Sequence, residues 1–135
     1  MNDELEAKTR AVIIGVSNYA PAFSRLPAVE SDVREMKRIL ESDPSDFQTS
    51  EISVLTEQKA SRAQIIETLQ DVLSQAEPHQ STFIYLAGHG TIGSDAEFYY
   101  VPFDADPRNI RETCIPLRQI KQFFDDSPRN VYFSG

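Results

Sequence analysis

The stretch TFIYLAGHG, Thr82 to Gly90, is an apolar run followed at once by a small-residue turn that carries a histidine. Its β-branched and aromatic residues predict a buried strand. His89 then follows the carboxyl end of this strand, which is where sites form in α/β sheets. Because imidazole titrates near neutral pH, His89 is a candidate general base and acid. The alternative is a turn histidine that only ends the strand.

Two glycines, Gly88 and Gly90, flank this histidine. Glycine lets the backbone turn sharply and approach a ligand closely. An exposed amide at Gly90 can donate a hydrogen bond to an oxyanion that develops during catalysis. His89 and Gly90 are therefore the predicted catalytic residues.

The rest of the sequence alternates between strand and helix patterns. One helix is predicted from Ser31 to near Ser42. Ser61 has the position of the N-cap of a second helix, whose apolar side carries Ile65, Ile66, Leu69, Val72 and Leu73. Strands separated by helices indicate βαβ units, a mostly parallel sheet and helices on both of its faces. Further strands are predicted at Ala11 to Val16, Ile52 to Leu55, Phe98 to Pro102 (or a hairpin partner) and Asn130 to Phe133, and a further helix at Pro116 to Phe124.

Composition and charge exclude several classes of protein. A chain of 135 residues is the size of one domain, predicted at 11–135 after a flexible segment 1–10. The net charge of −8 argues against a partner that is a nucleic acid. No stretch approaches the ~20 apolar residues that cross a bilayer, and the charged first ten residues are unlike a signal peptide. We therefore expect a cytoplasmic protein with neither nucleic-acid nor membrane partners.

The sequence contains one cysteine, Cys114, and only two histidines, so it offers no internal disulfide and no zinc pattern. We expect Cys114 to be a buried packing residue. No cofactor is expected; calcium is the alternative, because acidic residues surround the predicted hairpin, although their spacing matches no EF-hand loop. The acidic residues in question are Asp95, Glu97, Asp104 and Asp106.

Four segments, in this order, resemble the caspase-like cysteine peptidases, especially the metacaspase and orthocaspase branch. They are AVIIGVSNY (Ala11 to Tyr19), LPAVESDVREMKRIL (Leu26 to Leu40), FIYLAGHG (Phe83 to Gly90) and FYYVPFDAD (Phe98 to Asp106). The resemblance implies a three-layer α/β sandwich around a central, mostly parallel sheet. It also implies cleavage of peptide bonds by a histidine and cysteine dyad, with the histidine at His89 and the cysteine after the fourth strand.

The expected cysteine is missing from the sequence. Caspase signatures place it roughly 50 residues after the histidine, and Cys114 follows His89 too closely. One explanation is that the cysteine lies beyond Gly135, in a shortened or joined C-terminal portion. The other aligns the closing residues with the family segment Asp-x-Cys-x-Ser-Gly, which puts Tyr132 in the cysteine position and Asn130 in the aspartate position. We favour the first, because a phenol is a poor nucleophile at neutral pH.

The resemblance also bears on substrate specificity. Asp32 matches the aspartate that opens the first helix in metacaspase-like members and helps form an acidic pocket for Arg or Lys, a role that suits a carboxylate. The alternative role is interaction with the helix dipole. Ala87, where a serine is usual, and Asn130 depart from the pattern. Arg25 lies near the arginine with which caspases recognise aspartate, but its neighbours resemble metacaspases, so basic substrates are expected.

These observations predict a caspase-like endopeptidase domain that cleaves polypeptides, after basic residues, and is inactive alone because its nucleophile is missing. The expected partners are a polypeptide substrate and additional domains or the remaining peptidase segment. The alternative is a pseudo-peptidase that serves as an interaction or regulatory module. A nucleotide-binding α/β domain is disfavoured, because no glycine-rich loop follows Ala11 to Val16.

Overall fold

The structure is a computed structural model that describes residues 8–19, 22–42, 48–75, 81–125 and 130–134. The strands are Lys8–Gly15 (β1), Gln48–Thr56 (β2), Ser81–Ala87 (β3), Gly90–Ile92 (β4), Phe98–Tyr100 (β5), Ile115–Pro116 (β6) and Asn130–Ser134 (β7). The helices are Pro27–Ser42 (α1), Arg62–Ser74 (α2), Ile110–Thr113 (α3) and Leu117–Asp125 (α4), and the turn Glu57–Lys59 is a 3-10 helix.

The main sheet has four strands in the order β2-β1-β3-β7, and every neighbouring pair is parallel. Gly15 of β1 pairs with Thr56 of β2 on one side and with Ala87 of β3 on the other. The carboxyl ends of these strands therefore meet at one edge, and His89 follows β3 at that edge. This arrangement confirms the predicted parallel sheet.

A second, smaller sheet follows directly from His89. Its three strands lie in the order β4-β5-β6 and are antiparallel. Gly90 pairs with Tyr100, and Ile92 pairs with Phe98. The segment that begins at Phe98 is therefore the hairpin partner of the residues after His89, as one of the two predictions for it stated.

Helices cover both faces of the main sheet, which confirms the predicted sandwich. β1 alternates, so that Val12 and Ile14 face one core and Ala11 and Ile13 face the other. The first core includes buried residues of α2 and α4, and the second includes buried residues of α1. These helix residues are Ile65 and Leu69 of α2, Ile120 of α4, and Val29, Val33 and Leu40 of α1.

Several predicted boundaries differ from the structure; strand β2, for example, begins at Gln48 and not at Ile52. Helix α1 begins at Pro27, earlier than Ser31, because proline suits the first helical turn, where its missing N–H is not needed. Asp32 therefore lies within α1 and does not open it. Strand β1 begins at Lys8, where backbone pairing with Gln48 extends the strand ahead of the apolar run; the residues before Lys8 lie outside the described part. Ser61 caps α2 as predicted, and its side chain accepts from the Gln64 amide at 3.3 Å.

Within the described residues, none of the helices combines the length and the apolar character that spanning a membrane requires.

Gly15 permits the close approach of α1 to the carboxyl end of β1. A Cβ at this position would lie 2.5 Å from Val33 Cγ2 and 3.1 Å from Val29 Cγ1. Relief of these contacts requires a change of valine rotamer or a shift of α1. The glycine therefore sets how close α1 lies to the sheet near the edge that follows β1 and β3.

We predict that Gly15→Ala lowers the free energy of unfolding by about 1–3 kcal/mol, because the added methyl group overpacks the contact with α1. Urea denaturation measures the change. Gly90→Ala is the matched control, since a Cβ there meets nothing nearer than the Tyr99 carbonyl oxygen at 3.6 Å. In the double variant Gly15→Ala with Val33→Ala, the two losses should be less than additive; strict additivity would show that the methyl group does not meet Val33.

Candidate active site

His89 lies in the turn between β3 and β4, partly exposed at the carboxyl edge of the main sheet. Its Nε2 atom is 2.8 Å from the carbonyl oxygen of Ser24, in the loop that follows β1. A carbonyl oxygen only accepts, so this hydrogen bond requires the proton of the neutral ring to be on Nε2. Nδ1 is then the ring atom that can accept a proton.

The hydroxyl of Tyr19 holds the backbone at His89. It accepts a hydrogen bond from the His89 amide at 2.9 Å and donates one to the Val101 carbonyl oxygen at 2.9 Å. The Val101 amide in turn donates directly to the His89 carbonyl oxygen at 2.9 Å. One of the two bonds that an antiparallel pair exchanges is thus replaced by a bridge through the phenol. At this position the Tyr19 hydroxyl lies between the backbone groups of His89 and Val101 and separates the two strands of the hairpin.

Aromatic rings fix the imidazole from the same loop. The ring centroids of Tyr19 and His89 are 4.9 Å apart, and those of Phe23 and His89 are 5.9 Å apart. Tyr19 and Phe23 also pack edge to face against each other at 5.8 Å. Such tilted arrangements are favourable for aromatic groups. The loop after β1 therefore contacts His89 through two side chains and one carbonyl group.

Two buried phenols lie behind the histidine turn. Burial raises the pKa of Tyr19 to about 12 and raises the pKa of Tyr100 well above its ordinary value, so both hydroxyls stay protonated. Tyr100 donates to the Ala87 carbonyl oxygen at 2.8 Å. Gly88 has φ +147°, and a Cβ there would collide with the Tyr19 hydroxyl and lie 3.0 Å from that of Tyr100. Only glycine leaves room for both phenols at this turn.

Glu57 fastens the start of the loop that carries Tyr19. Its carboxylate accepts from the amides of Ser17 at 3.3 Å and Asn18 at 3.1 Å, and from the Ser17 hydroxyl at 2.8 Å. Glu57 itself has φ 49°, a conformation that costs free energy in a residue with a side chain. The bonds to Ser17 and Asn18 offset that cost and tie the end of β2 to the end of β1.

The amide of Gly90 faces the open side of β4. Backbone hydrogen bonds join Val101 to His89 and Gly93 to Glu97. In the antiparallel pair β4 and β5, hydrogen-bonded and non-hydrogen-bonded positions alternate from these two pairs. Residues between bonded positions turn their N–H and C=O groups away from the partner strand. Gly90 is one of these residues and is exposed. Its amide is therefore accessible on the outer edge of the hairpin, next to His89.

Asp32 is exposed on α1, on the face of the sheet that carries Tyr85. Burial, together with the charge of Asp32, raises the pKa of Tyr85. Tyr85 is part of β3, the strand that leads to His89. In the part of the chain that the structure describes, Asp32 makes no hydrogen bond with His89 or Gly90. The structure thus brings Asp32 beside β3 and not into the histidine turn. Arg25 is exposed in the loop after β1.

Strand β7 determines where Tyr132 lies. Tyr132 pairs with Phe83 and Ser134 pairs with Tyr85, so Tyr132 is opposite the middle of β3. At a rise of about 3.3 Å per residue, that level is roughly 20 Å before His89 along the strand. Asn130 pairs with Ser81, at the beginning of β3. The backbone register therefore does not fit the alternative alignment, which puts Tyr132 in the position of the nucleophile.

Cys114 is 0% exposed and belongs to the core between the main sheet and helices α2 and α4. Burial raises the pKa of its thiol, which disfavours the thiolate. The prediction of a packing residue is confirmed.

The acidic residues considered for calcium each have a partner of their own. Asp95 accepts from the Glu97 amide at 3.1 Å, Asp104 from the Arg62 amide at 2.9 Å, and Asp106 from the Arg108 amide at 2.9 Å. The Glu97 carboxylate pairs with the Arg118 guanidinium at 3.2 Å. No group of three or more potential metal ligands occurs among the described residues. The calcium alternative stays a prediction.

Comparison with known protein families identifies the family of this chain. The family described as the caspase domain matches residues 8–133, from the first residue of β1 into β7. The chain belongs to the caspase family. Its fold and its family are therefore those of a peptidase domain that acts on polypeptides. A search of curated proteins finds no significant match.

Sequence reasoning missed several contributors to the site, among them Tyr19, Phe23, Ser24 and Glu57. Tyr19 is part of the segment AVIIGVSNY, but nothing in that segment indicates that its hydroxyl reaches a hairpin far along the chain. Ser24 acts through its carbonyl group, which every residue has. Glu57 carries no motif, and only its positive φ and its bonds to Ser17 and Asn18 identify its role.

We predict that Tyr19→Phe makes the free energy of unfolding less sensitive to alkaline pH. A phenol whose pKa rises from 10.0 to about 12 on folding stabilises the protein fully below pH 10. That stabilisation is lost as the pH rises through about 12, so wild-type stability falls across this range. The variant lacks this contribution, so its free energy of unfolding falls less over the same pH range. At neutral pH the variant should also exchange the His89 amide hydrogen faster, because that donor has lost its acceptor.

Denaturation curves between pH 9 and pH 12 measure the effect. Tyr85→Phe, on the opposite face of the sheet, is the control and should retain most of the wild-type fall. Equal slopes for wild type and Tyr19→Phe would contradict the role given to the buried phenol.

Proposed function

We propose that this caspase-family domain is a cysteine endopeptidase in which His89 is general base and then general acid. The observation that carries the proposal is the bond between Nε2 of His89 and the Ser24 carbonyl oxygen. It directs Nδ1 to the proton transfer and orients the ring. The bridge from Tyr19 and the contact with Phe23 support the same role, because they hold the imidazole in place.

The reaction follows from these positions. Nδ1 of His89 takes the proton of a cysteine thiol, and the thiolate forms a bond to the carbonyl carbon of the scissile peptide. The Gly90 amide stabilises the resulting oxyanion. The C–N bond then breaks as His89 returns the proton to the leaving amine. A water molecule, deprotonated by His89, hydrolyses the thioester and restores the thiol.

The nucleophile is proposed to follow β7. β7 is the parallel neighbour of β3, and neighbouring strands lie about 4.8 Å apart. A cysteine that continues β7 to the level of His89 would therefore lie within reach of the imidazole. On the observed register, with Ser134 opposite Tyr85, that level falls after Gly135. Tyr132 lies too early along the strand, and Cys114 is buried. We therefore propose that residues 8–135 alone do not turn over substrate, and that a further segment supplies the cysteine.

Specificity for basic residues is proposed on the basis of Asp32. Its exposed carboxylate lies on α1, beside the strand that leads to the histidine, and a carboxylate pairs well with guanidinium by charge and by two parallel hydrogen bonds. Arg25, the candidate for recognition of an acidic side chain, is an exposed loop residue. Asp32 therefore favours the metacaspase-like branch of the family.

The tautomer of His89 is testable in this chain. We predict that neutral His89 carries its proton on Nε2, because the Ser24 carbonyl group accepts from that atom. Nitrogen chemical shifts of the labelled imidazole, read at alkaline pH where the ring is neutral, distinguish the two tautomers. His79, the other histidine of the sequence, gives the reference signal, and His89→Gln assigns the resonances. A proton found mainly on Nδ1 would contradict the proposed direction of proton transfer.

Turnover is testable with a form of the protein that carries a cysteine after β7, from a natural continuation or an appended segment. We predict that this form cleaves fluorogenic Arg and Lys peptides and that His89→Ala lowers kcat by about 10²-fold to 10⁴-fold. Cys114→Ser should leave kcat unchanged. Asp32→Asn should lower kcat/KM for the basic peptides more than for neutral ones.

The chain of 135 residues should cleave none of these peptides. Robust cleavage by it, lost in His89→Ala but retained in Cys114→Ala, would mean that another group is the nucleophile.

The second candidate function is a pseudo-peptidase that retains the fold as an interaction or regulatory module. It is favoured by the lack of a cysteine at the carboxyl edge among the described residues. Peptide binding without cleavage in a form that extends past β7 would select this alternative.

A further inference from the structure

Two large apolar side chains stand exposed on the hairpin that begins at His89. Ile92 is 60% exposed and Phe98 is 61% exposed, and they pair directly across β4 and β5. Their position is a non-hydrogen-bonded pair, in which opposite side chains lie closest. They therefore form one apolar patch, which we call the hairpin patch. Adjacent exposed apolar groups of this kind mark binding surfaces.

The hairpin patch adjoins a strand edge that is open to a further strand. β4 is the outer strand of the order β4-β5-β6, and in the described part of the chain nothing pairs with its other side. The N–H and C=O groups of Gly90 and Ile92 both face that side, by the ladder alternation given above. An extended polypeptide can bind such an edge by strand addition, with its backbone supplying affinity and alternate side chains supplying specificity.

The β4 edge lies next to the proposed catalytic residues. β4 starts at Gly90, the residue proposed to hold the oxyanion, and Ile92 lies two residues farther, about 7 Å along the strand and on the same face. A substrate whose scissile carbonyl group is at Gly90 therefore presents the side chain two residues away to Ile92. Ile92 also borders a groove of about 430 Å³ that extends to residues 107–112. The surface beside the patch is concave and has room for a side chain.

We propose that the β4 edge and the hairpin patch bind the polypeptide substrate, with an apolar side chain two residues from the residue that carries the scissile carbonyl group packed on Ile92 and Phe98. The inference rests on the proposed function and adds a second specificity site to it. Continuity with His89 and Gly90 favours a substrate over a second copy of this chain. The paired part of β4 has only three residues, which is short for a stable edge-to-edge dimer.

The test is a titration of the 135-residue chain with extended peptides, followed by amide chemical shifts. Two peptides carry Arg immediately before the test bond and Leu two residues before or two residues after that Arg; their partners carry Ser in place of Leu. We expect one Leu peptide to shift the Gly90 and Ile92 amides and to bind about tenfold more tightly than its Ser partner, as partial burial of one leucine side chain predicts.

Surface variants locate the effect. Ile92→Ser and Phe98→Ser should each remove the advantage of the Leu peptide while leaving the Ser peptide unaffected. Ile39→Ser is the matched control, because Ile39 is an exposed isoleucine (45%) on α1, and it should change neither affinity. Equal affinities for Leu and Ser peptides, or shifts that avoid β4, would overturn the inference. Shifts at Gly90 and Ile92 that follow protein concentration and not peptide would assign the edge to self-association and would also overturn it.

The titration needs no turnover, so its result is independent of the cleavage experiment. A cysteine-bearing form that cleaves Arg peptides while the Leu advantage is missing would retain the proposed function and reject only this inference. Peptide binding at β4 by the cysteine-bearing form without cleavage would reject the proposed chemistry and retain the binding edge.

Discussion

The Tyr19 hydroxyl, between the His89 amide and the Val101 carbonyl oxygen, is the interaction on which the site depends. It joins three parts of the chain that are distant in sequence: the loop after β1, the turn after β3 and the end of β5. Its position leaves no room for a side chain at Gly88, whose φ is positive. Because the phenol is buried and stays protonated, it can donate and accept at once. The histidine turn is thereby fixed by the protein core and not by the turn alone.

The layers of the fold explain why the loop after β1 can reach the histidine. All four strands of the main sheet are parallel, so the loops after β1, β2 and β3 leave from one edge. Glu57, at the end of β2, fastens the beginning of the β1 loop, and Ser24, farther along that loop, accepts from the imidazole. Gly15 lets α1 pack close below this edge. Three consecutive strand ends thus contribute to one position.

Membership of the caspase family and catalysis by this chain are separate conclusions. The family match and the sandwich fold depend on the strands, helices and cores, which residues 8–133 contain. The proposed catalysis depends in addition on a thiolate at the level of His89, and continuing the register of β7 puts that level after Gly135. The proposed binding edge at β4 depends on neither, because it consists of backbone groups and two exposed side chains. The proposed binding of polypeptides at β4 therefore does not require the nucleophile.

The sequence by itself determined the fold class, most of the elements and the position of His89, because buried strands and amphipathic helices have local patterns in apolar residues. Helix N-capping by Ser61 is equally local and was predictable. The start of α1 was not, since Pro27 precedes the apolar spacing that marks the helix. Only the tertiary structure decided the partners of His89, because Tyr19, Ser24 and Glu57 act through groups whose contacts depend on where distant loops meet. It also decided the place of Tyr132, since the register between parallel strands is set by packing across the sheet and not by either strand alone.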